Sequence, residues 1–130
     1  MKFLVGYDQS ETSKAALRVA VKHATVFKAG LHVVQSLTQS HELNYEGIQR
    51  VENQLDALKK SLEAEKIECE MHAKVSANSP GESLVEFAGE YEIDEIFVGV
   101  RRRSRVGKLL LGSNAQYVIL NAPCPVVAVK

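Results

Sequence analysis

Ile93-Asp-Glu-Ile-Phe-Val-Gly99, an apolar run that closes on a glycine, leads into a basic loop and then to the pair Gly112-Ser113. The run predicts a buried strand over Ile93–Val98, and the residues after the pair predict a helix over Asn114–Asn121. Such a helix leaves backbone N–H groups free at its N-terminus, where the helix dipole favours anions and above all phosphate. The loop between strand and helix is therefore the first candidate for a binding site.

The rest of the chain alternates between strand and helix patterns. The predicted strands are Lys2–Asp8, Leu31–Leu37, Lys66–Val75, Ile93–Val98 and Val126–Val129. The predicted helices run from the N-cap Ser10 to a stop at Gly30, over Tyr45–Glu65, from the N-cap Ser79 to about Tyr91, and over Asn114–Asn121. This strict alternation predicts an α/β fold, in which helices cover both faces of one mostly parallel sheet.

The ends of the predicted strands indicate where a ligand would bind. In doubly wound sheets, ligands lie beyond the carboxyl ends of the strands, where the winding direction reverses. Asp8, Val34–Ser36 and Gly99 occupy these ends. If the first and fourth strands are neighbours, Asp8 and Gly99 face one crevice; the residues alone leave that adjacency open.

Length and composition limit the class of protein to which the chain can belong. The chain has 130 residues, 45% of them hydrophobic and 25% charged, which is typical of one globular domain spanning 1–130. Lys and Arg together number 16, as do Asp and Glu, so the formal net charge is zero. Nothing in this balance favours a nucleic-acid or membrane partner. The one dense basic cluster, at 101–105, is either plain solvated surface or part of a site.

Signals for export and for cysteine chemistry are missing from the sequence. The apolar run at the N-terminus is too short for a signal peptide and is interrupted by Asp8. No window has the length of a membrane span. Cys69 and Cys124 are far apart and form neither a CxxC pair nor zinc-binding spacing, so we interpret them as small buried residues. We therefore expect a soluble cytoplasmic protein.

The sequence lacks several common catalytic and ligand-binding motifs. A P-loop would require glycine at 102 and Ser or Thr at 109, where this chain has Arg102 and Leu109. There is no GxGxxG after the first strand. The histidines fall on separate predicted elements, which favours core or solvated side chains and predicts no metal site; they are His23, His32, His41 and His72.

Three segments of the sequence together resemble one known family. Gly99-x-x-Arg102, nine residues, then Gly112-Ser113 is similar to the pattern G-x-x-G-(nine)-G-[ST], the nucleotide motif of the universal stress protein family. The opening of the chain is similar as well, and so is its closing segment. These read Val5-Gly-Tyr-Asp8-Gln-Ser10-Glu-x-Ser13-x-x-Ala16-Leu17 and Gly112-Ser-Asn-Ala-Gln-Tyr-Val-Ile-Leu-Asn-Ala-Pro-Cys-Pro-Val-Val-Ala-Val129. The resemblance covers essentially the whole chain.

The resemblance implies a fold, a ligand and a partner. It implies a five-stranded parallel sheet in the order 3-2-1-4-5, an ATP or AMP pocket with or without Mg²⁺, and a homodimer formed through the last strand, Val126–Val129. Within the pocket it implies that Asp8 meets the adenosine, Val34 lines the adenine, and Gly99 approaches the ribose and phosphates. The implied cofactor-binding residues are Gly6, Tyr7, Asp8, Val34, Val98, Gly99, Arg102, Gly112, Ser113 and Asn114.

Arg102 departs from the motif, because it stands where the family has its second glycine. One branch of the family lacks these glycines and does not bind ATP, so two functions remain open. One is a nucleotide-binding regulatory module without rapid turnover; the other is a dimeric interaction protein with a vestigial pocket. A third, an ATPase or phosphotransferase, depends only on Asp8 and Glu11 as groups that hold Mg²⁺ or position water.

Overall fold

A five-stranded parallel sheet forms the centre of the structure, a computed structural model that describes residues 1–37, 43–101 and 111–130. The strands are β1 (Lys2–Gly6), β2 (Gly30–Leu37), β3 (Cys69–Val75), β4 (Glu95–Gly99) and β5 (Val126–Val129). The helices are α1 (Glu11–Phe27), α2 (Tyr45–Ala64), α3 (Pro80–Glu90) and α4 (Ser113–Asn121). The strand order is β3-β2-β1-β4-β5, so the predicted fold class is confirmed.

The central position of β1 settles the adjacency that the residues alone left open. Leu4 of β1 pairs with Ile96 of β4, and on its other side β1 pairs with β2. The winding direction therefore reverses between β1 and β4. Their carboxyl ends form the crevice in which ligands bind in folds of this kind.

Both faces of the sheet are buried, which explains why residues 3–5 of β1 form an uninterrupted apolar run. Phe3 and Val5 belong to a core cluster that also contains residues of α1 and α2. Leu4, between them, belongs to a second cluster with residues of α3 and α4. Successive residues of a strand point to opposite faces, so one short run supplies both cores.

Several predicted boundaries are wrong by a few residues. We expected Gly30 to end the first helix, but Lys28 adopts the left-handed conformation there (φ 53°) and Gly30 is already in β2. The third strand starts at Cys69 rather than Lys66, because Lys66 also has a positive φ of 62° just after α2. The first strand ends at Gly6 instead of Asp8, although the Tyr7 N–H still donates to the Val34 carbonyl at 2.9 Å.

The predicted N-caps are confirmed. Ser10 Oγ accepts from the Ser13 N–H at 3.2 Å, and Ser79 Oγ accepts from the Glu82 N–H at 3.3 Å. Each cap satisfies one of the free N–H groups of its helix. No helix in the described parts of the chain is both long and apolar enough to cross a membrane.

Candidate functional site

A cavity of about 520 Å³ opens at the carboxyl ends of β1 and β4. Pockets that bind small molecules usually measure about 300–1,000 Å³. The walls come from the turn between β1 and α1, the ends of β2 and β4, and the first turns of α3 and α4. The lining residues are Gly6, Tyr7, Asp8, Ser10, Thr12, Ser13, Val34, Ser36, Pro80, Leu84, Val98, Gly99, Arg101, Leu111, Gly112, Ser113, Asn114, Ala115 and Val118.

The structure brings nine of the ten sequence-predicted site residues to this one cavity. They are Gly6, Tyr7, Asp8, Val34, Val98, Gly99, Gly112, Ser113 and Asn114. The tenth, Arg102, lies outside the described residues, as do Arg103, Arg105 and Gly107. Residues almost a hundred positions apart in the chain meet here because β1 and β4 are neighbours.

The N-terminus of α4 differs from those of the other three helices. Side chains cap α1, α2 and α3, and each of these helices also has a glutamate in its first turn. Gly112 is the N-cap of α4, no side-chain hydrogen bond caps the helix, and its first turn has no acidic residue. Its free N–H groups and dipole therefore face the cavity with no acidic side chain in the same turn, which favours an anion there.

Asn114 holds the start of α4 in position. Its Oδ1 accepts a hydrogen bond from the backbone N–H of Gly81 in α3 at 3.0 Å. A Cβ on Gly81 would lie 2.9 Å from the Asn114 carbonyl oxygen, so the two helix starts approach closely only because residue 81 is glycine. The side chain of Asn114 thus serves the helix contact, which leaves its backbone N–H for a ligand.

Asp8 places a negative charge at another wall of the cavity. Partial burial raises the pKa of its carboxyl, but hydrogen bonds from Ser10 and Ser13 and the nearby Arg101 guanidinium outweigh burial and hold the pKa below its ordinary value. The Ser10 N–H donates to Asp8 Oδ1 at 3.0 Å. The carboxylate is therefore ionised at neutral pH and held in a fixed orientation.

The cavity also has an apolar surface. Val34, Val98 and Val118 line the cavity, and each is at most 5% exposed. Tyr7 also lines the cavity, but its ring belongs to the core cluster beneath α1 and α2. The arrangement provides apolar contact for a flat ring, a carboxylate for hydroxyl or amino donors, and N–H groups for an anion.

Some lining residues were absent from the predicted set. Arg101 was noted only as part of the basic cluster, yet it lines the cavity and acts on the Asp8 carboxyl. Ser36 belongs to the carboxyl end of the predicted second strand, so the sequence does point to it. Thr12 and Leu84 had no signal in the sequence, because helix packing brings them to the cavity.

Glu11 does not join Asp8 in the cavity. Its side chain is 87% exposed, and its Oε1 lies 3.6 Å from Lys14 Nζ. The two carboxylates that a metal-assisted phosphotransferase would need at this place therefore do not converge.

A sequence model of the Universal stress protein family matches residues 1–130. The chain belongs to the universal stress protein family. A universal stress protein from Thermus aquaticus is 34% identical, over 98% of this chain and 96% of its own length. The structure of a universal stress protein from Archaeoglobus fulgidus has a TM-score of 0.84 and 33% identity, over 100% of this chain and 98% of that one.

A second structure of a universal stress protein from A. fulgidus was determined in complex with dAMP. It is 29% identical, has a TM-score of 0.81 and covers 100% of this chain and 98% of its own. The likeness therefore extends over the whole of both folds, including the elements that form the cavity.

The two described glycines of the universal stress protein motif have different roles. A Cβ on Gly99 would lie 2.5 Å from both the carbonyl carbon and the oxygen of Thr12, so this glycine permits α1 to pack against β4. A Cβ on Gly112 would meet nothing within 4 Å. The first glycine is required by the fold itself, whereas the second leaves open space at the cavity.

Proposed function

We propose that this universal stress protein binds an adenine nucleotide, ATP or AMP, and acts as a regulatory module in the cytoplasm. The observation that carries the proposal is the uncapped N-terminus of α4, which shares one cavity with the Asp8 carboxylate. The dAMP complex of the A. fulgidus relative supports the choice of an adenine nucleotide.

The charges of the cavity define the orientation of the nucleotide. Phosphates lie at the N–H groups of Ser113 and Asn114, where the helix dipole favours them. The adenosine lies towards Asp8 and Val34, because a phosphate there would meet an ionised carboxylate. Gly6 and Val98 form the floor beneath the sugar and base.

The same geometry argues against rapid turnover. Asp8 is the one carboxylate among the lining residues that the structure describes. Its pKa is lowered, which makes it a weak general base. Mg²⁺ accompanies ATP on the phosphates rather than on a protein carboxylate cluster. The protein therefore holds its nucleotide instead of hydrolysing it quickly.

Calorimetry with full-length protein stripped of nucleotide tests the proposal. We expect heat of binding with ATP or AMP, and we expect Gly112→Val to abolish it, since the new side chain occupies open space beside the phosphate site. The matched control is Gly30→Val, because a Cβ there also meets nothing within 4 Å and Gly30 does not line the cavity. Valine is a poorer N-cap than glycine, so circular dichroism checks that Gly112→Val is folded.

The outcomes of this titration separate the two functions left open by Arg102. Binding by the native chain and by Gly30→Val, but not by Gly112→Val, supports the nucleotide-binding module. No binding by the native chain, with no nucleotide released when the purified protein is denatured, overturns it in favour of the interaction protein with a vestigial pocket. Arg102→Gly then reports whether the guanidinium obstructs the ligand or binds phosphate.

A homodimer through β5, Val126–Val129, is the second part of the proposal. Among the strands that the structure describes, β5 lies at one edge of the sheet, next to β4. The Ile96 N–H donates to the Pro125 carbonyl and the Val100 N–H to the Val129 carbonyl. Hydrogen-bonding groups alternate along a parallel strand, so those of Val126 and Ala128 face outward, free to pair with a second copy. Nearby, Leu120 of α4 is 72% exposed.

Sedimentation analysis of Ala128→Pro tests this interface. Proline removes an outward N–H group without removing a bond to β4, so we expect the native chain to be a dimer and the variant a monomer. The matched control is Ala73→Pro, which removes an outward N–H group from β3 at the opposite edge. A dimer that survives Ala128→Pro, or a native chain that is monomeric, contradicts the interface.

A further inference from the structure

Two histidines and a glutamate from neighbouring strands meet on one face of the sheet. In the register of β2 and β3, His32 is opposite Glu70 and Val34 is opposite His72. His32 and Val34 are two apart, as are Glu70 and His72, so all these side chains point to the same face. The two histidines belong to separate predicted strands, and the sheet brings them together from positions 40 residues apart.

The ligand atoms of these three side chains are spaced like those around a metal ion. His32 Nδ1 lies 3.1 Å from His72 Nε2, and Glu70 Oε2 lies 3.7 Å from the first and 3.8 Å from the second. In a tetrahedral zinc site with bonds of about 2.0–2.1 Å, neighbouring ligand atoms are about 3.3 Å apart. The observed separations lie on both sides of that value, so small side-chain movements would bring the three atoms to the spacing of a tetrahedral site.

Aromatic rings hold the two imidazoles in place. The Phe87 ring centroid lies 4.8 Å from that of His72 and 5.6 Å from that of His32. Tyr91 stacks on Phe87 with centroids 4.0 Å apart and contacts both histidines. These neighbours restrict the rotation of the imidazoles, and a site whose ligands are already oriented loses less entropy on binding.

Charge and exposure also suit a cation. The side chains of His32 and His72 are 11% and 20% exposed, whereas Glu70 is 65% exposed and leaves the cluster open to solvent. Burial lowers the pKa of both histidines; the neighbouring His32 lowers that of His72 further, as do Lys2 near His32 and Lys74 near His72, while Glu70 opposes the shift. The Glu70 carboxylate supplies a negative charge for a cation, and the exposed side of the cluster leaves room for it to enter.

We propose that His32, Glu70 and His72 form a binding site for a divalent transition-metal ion, with Zn²⁺ as the ion that this ligand set fits. Two imidazoles and a carboxylate are established zinc ligands, and three protein ligands leave a fourth position for water. The ion joins the edge strand β3 to β2. None of its ligands lines the nucleotide cavity, so the site is separate from the proposed function.

A hydrogen bond between the two imidazoles is the competing explanation of the short nitrogen–nitrogen distance. One neutral imidazole can donate to the other at 3.1 Å with no metal present. That arrangement makes no use of Glu70 and gives the chain no affinity for zinc. Removing the glutamate carboxylate therefore separates the two explanations.

Calorimetric titration of Zn²⁺ into full-length protein, with its purification tag removed and metals stripped by a chelator, tests the site. We expect one ion per chain and a higher melting temperature with Zn²⁺, since the ion binds the folded state. Loss of a group that only orients a ligand typically costs 10–100-fold in affinity, so we expect Glu70→Gln and His72→Gln to lose about 100-fold or more. Glu68→Gln and His23→Gln are the matched controls and retain native affinity.

Cobalt distinguishes this site from binding by the cysteines. Cys69 neighbours Glu70 on β3 and belongs to the core on the other face of the sheet. The Co²⁺ protein should show visible bands of nitrogen and oxygen ligation, without intense thiolate-to-metal absorption. Absence of Zn²⁺ binding, native affinity in Glu70→Gln and His72→Gln, or a thiolate signal overturns the proposal. Circular dichroism on His72→Gln checks that its loss of affinity does not come from unfolding, and the exposed Glu70→Gln provides an independent variant.

Discussion

Asp8 shows how one side chain links the local fold to the site. Its carboxylate accepts from the Ser10 N–H in the turn that leads into α1, and the Asp8 N–H donates to Ser13 Oγ at 3.3 Å. Gln9, between them, has a positive φ of 69°. This tight turn explains why β1 ends before Asp8 and why the carboxylate faces the cavity.

Replacing Asp8 by Asn should make the free energy of unfolding depend less on pH in the acid range. The folded-state pKa of Asp8 lies below its unfolded value, so its ionised form stabilises the fold above that unfolded value, about 3.9. The stabilisation is lost as pH falls through the lower folded pKa. We therefore expect urea unfolding to show native protein more stable than Asp8→Asn at pH 7, with the difference shrinking below about pH 4.

Asp56→Asn is the control for this pH series, because it removes one carboxylate from the exposed surface of α2. A difference between native protein and Asp8→Asn that stays constant from pH 7 to pH 3, or that Asp56→Asn reproduces, would show that the Asp8 carboxylate has no such role.

The start of α4 depends on a neighbouring helix rather than on a cap of its own. Asn114 joins it to α3 through the Gly81 N–H, whereas α1, α2 and α3 are capped by their own flanking side chains. The anion-binding end of α4 can therefore remain free without leaving the helix unanchored. This arrangement explains how a helix of nine residues keeps its place at the cavity.

Asn114→Ala should lower the free energy of unfolding by about 1–2 kcal/mol, because it leaves the partly buried Gly81 N–H without its partner. Chemical denaturation measures the loss. The control is Asn121→Ala at the other end of α4, where the side-chain amide donates to the Tyr117 carbonyl in an exposed position. Loss of the exposed hydrogen bond should lower the free energy of unfolding by less. Equal decreases in the two variants would contradict the proposed anchoring of α4 by Asn114.

The protein as a whole has two cores that share one sheet. Phe97 is fully buried on the face covered by α1 and α2, and Phe87 is 1% exposed on the face covered by α3 and α4. Because β1 and β4 contribute residues to both faces, neither core is complete without the same strands. We therefore expect the two faces to unfold together.

Calorimetry should accordingly show a single unfolding transition whose calorimetric and van't Hoff enthalpies agree. Phe97→Ala and Phe87→Ala should each lower the stability of that whole transition by about 3–5 kcal/mol. Phe27→Ala, at a ring that is 56% exposed, should lower it much less. Two separate unfolding transitions, or a decrease in stability confined to one face of the sheet, would show that the two faces fold independently.

Local patterns were sufficient to predict the elements and the two segments, around Gly99 and Gly112, that meet at the cavity. The full set of ten binding residues came from the family resemblance and stays a prediction. The apolar run up to Gly99 and the pair Gly112-Ser113 predicted β4 and the start of α4, and Ser10 and Ser79 predicted two N-caps. Helix ends were less accurate, since Lys28 rather than a glycine takes the left-handed position after α1. Nothing in the local residues distinguishes a lysine that ends a helix from one that continues it.

Periodicity, capping residues and the closing motif are local properties of the chain, and they were enough to predict an α/β protein and the segments that line its cavity. The neighbours of each strand are not local. Only the folded chain places β1 beside β4 and the backbone of Thr12 against Gly99. Only the folded chain brings His32 Nδ1 to 3.1 Å from His72 Nε2. Side chains far apart in sequence meet through strand order and register, and these depend on how the whole apolar surface is buried.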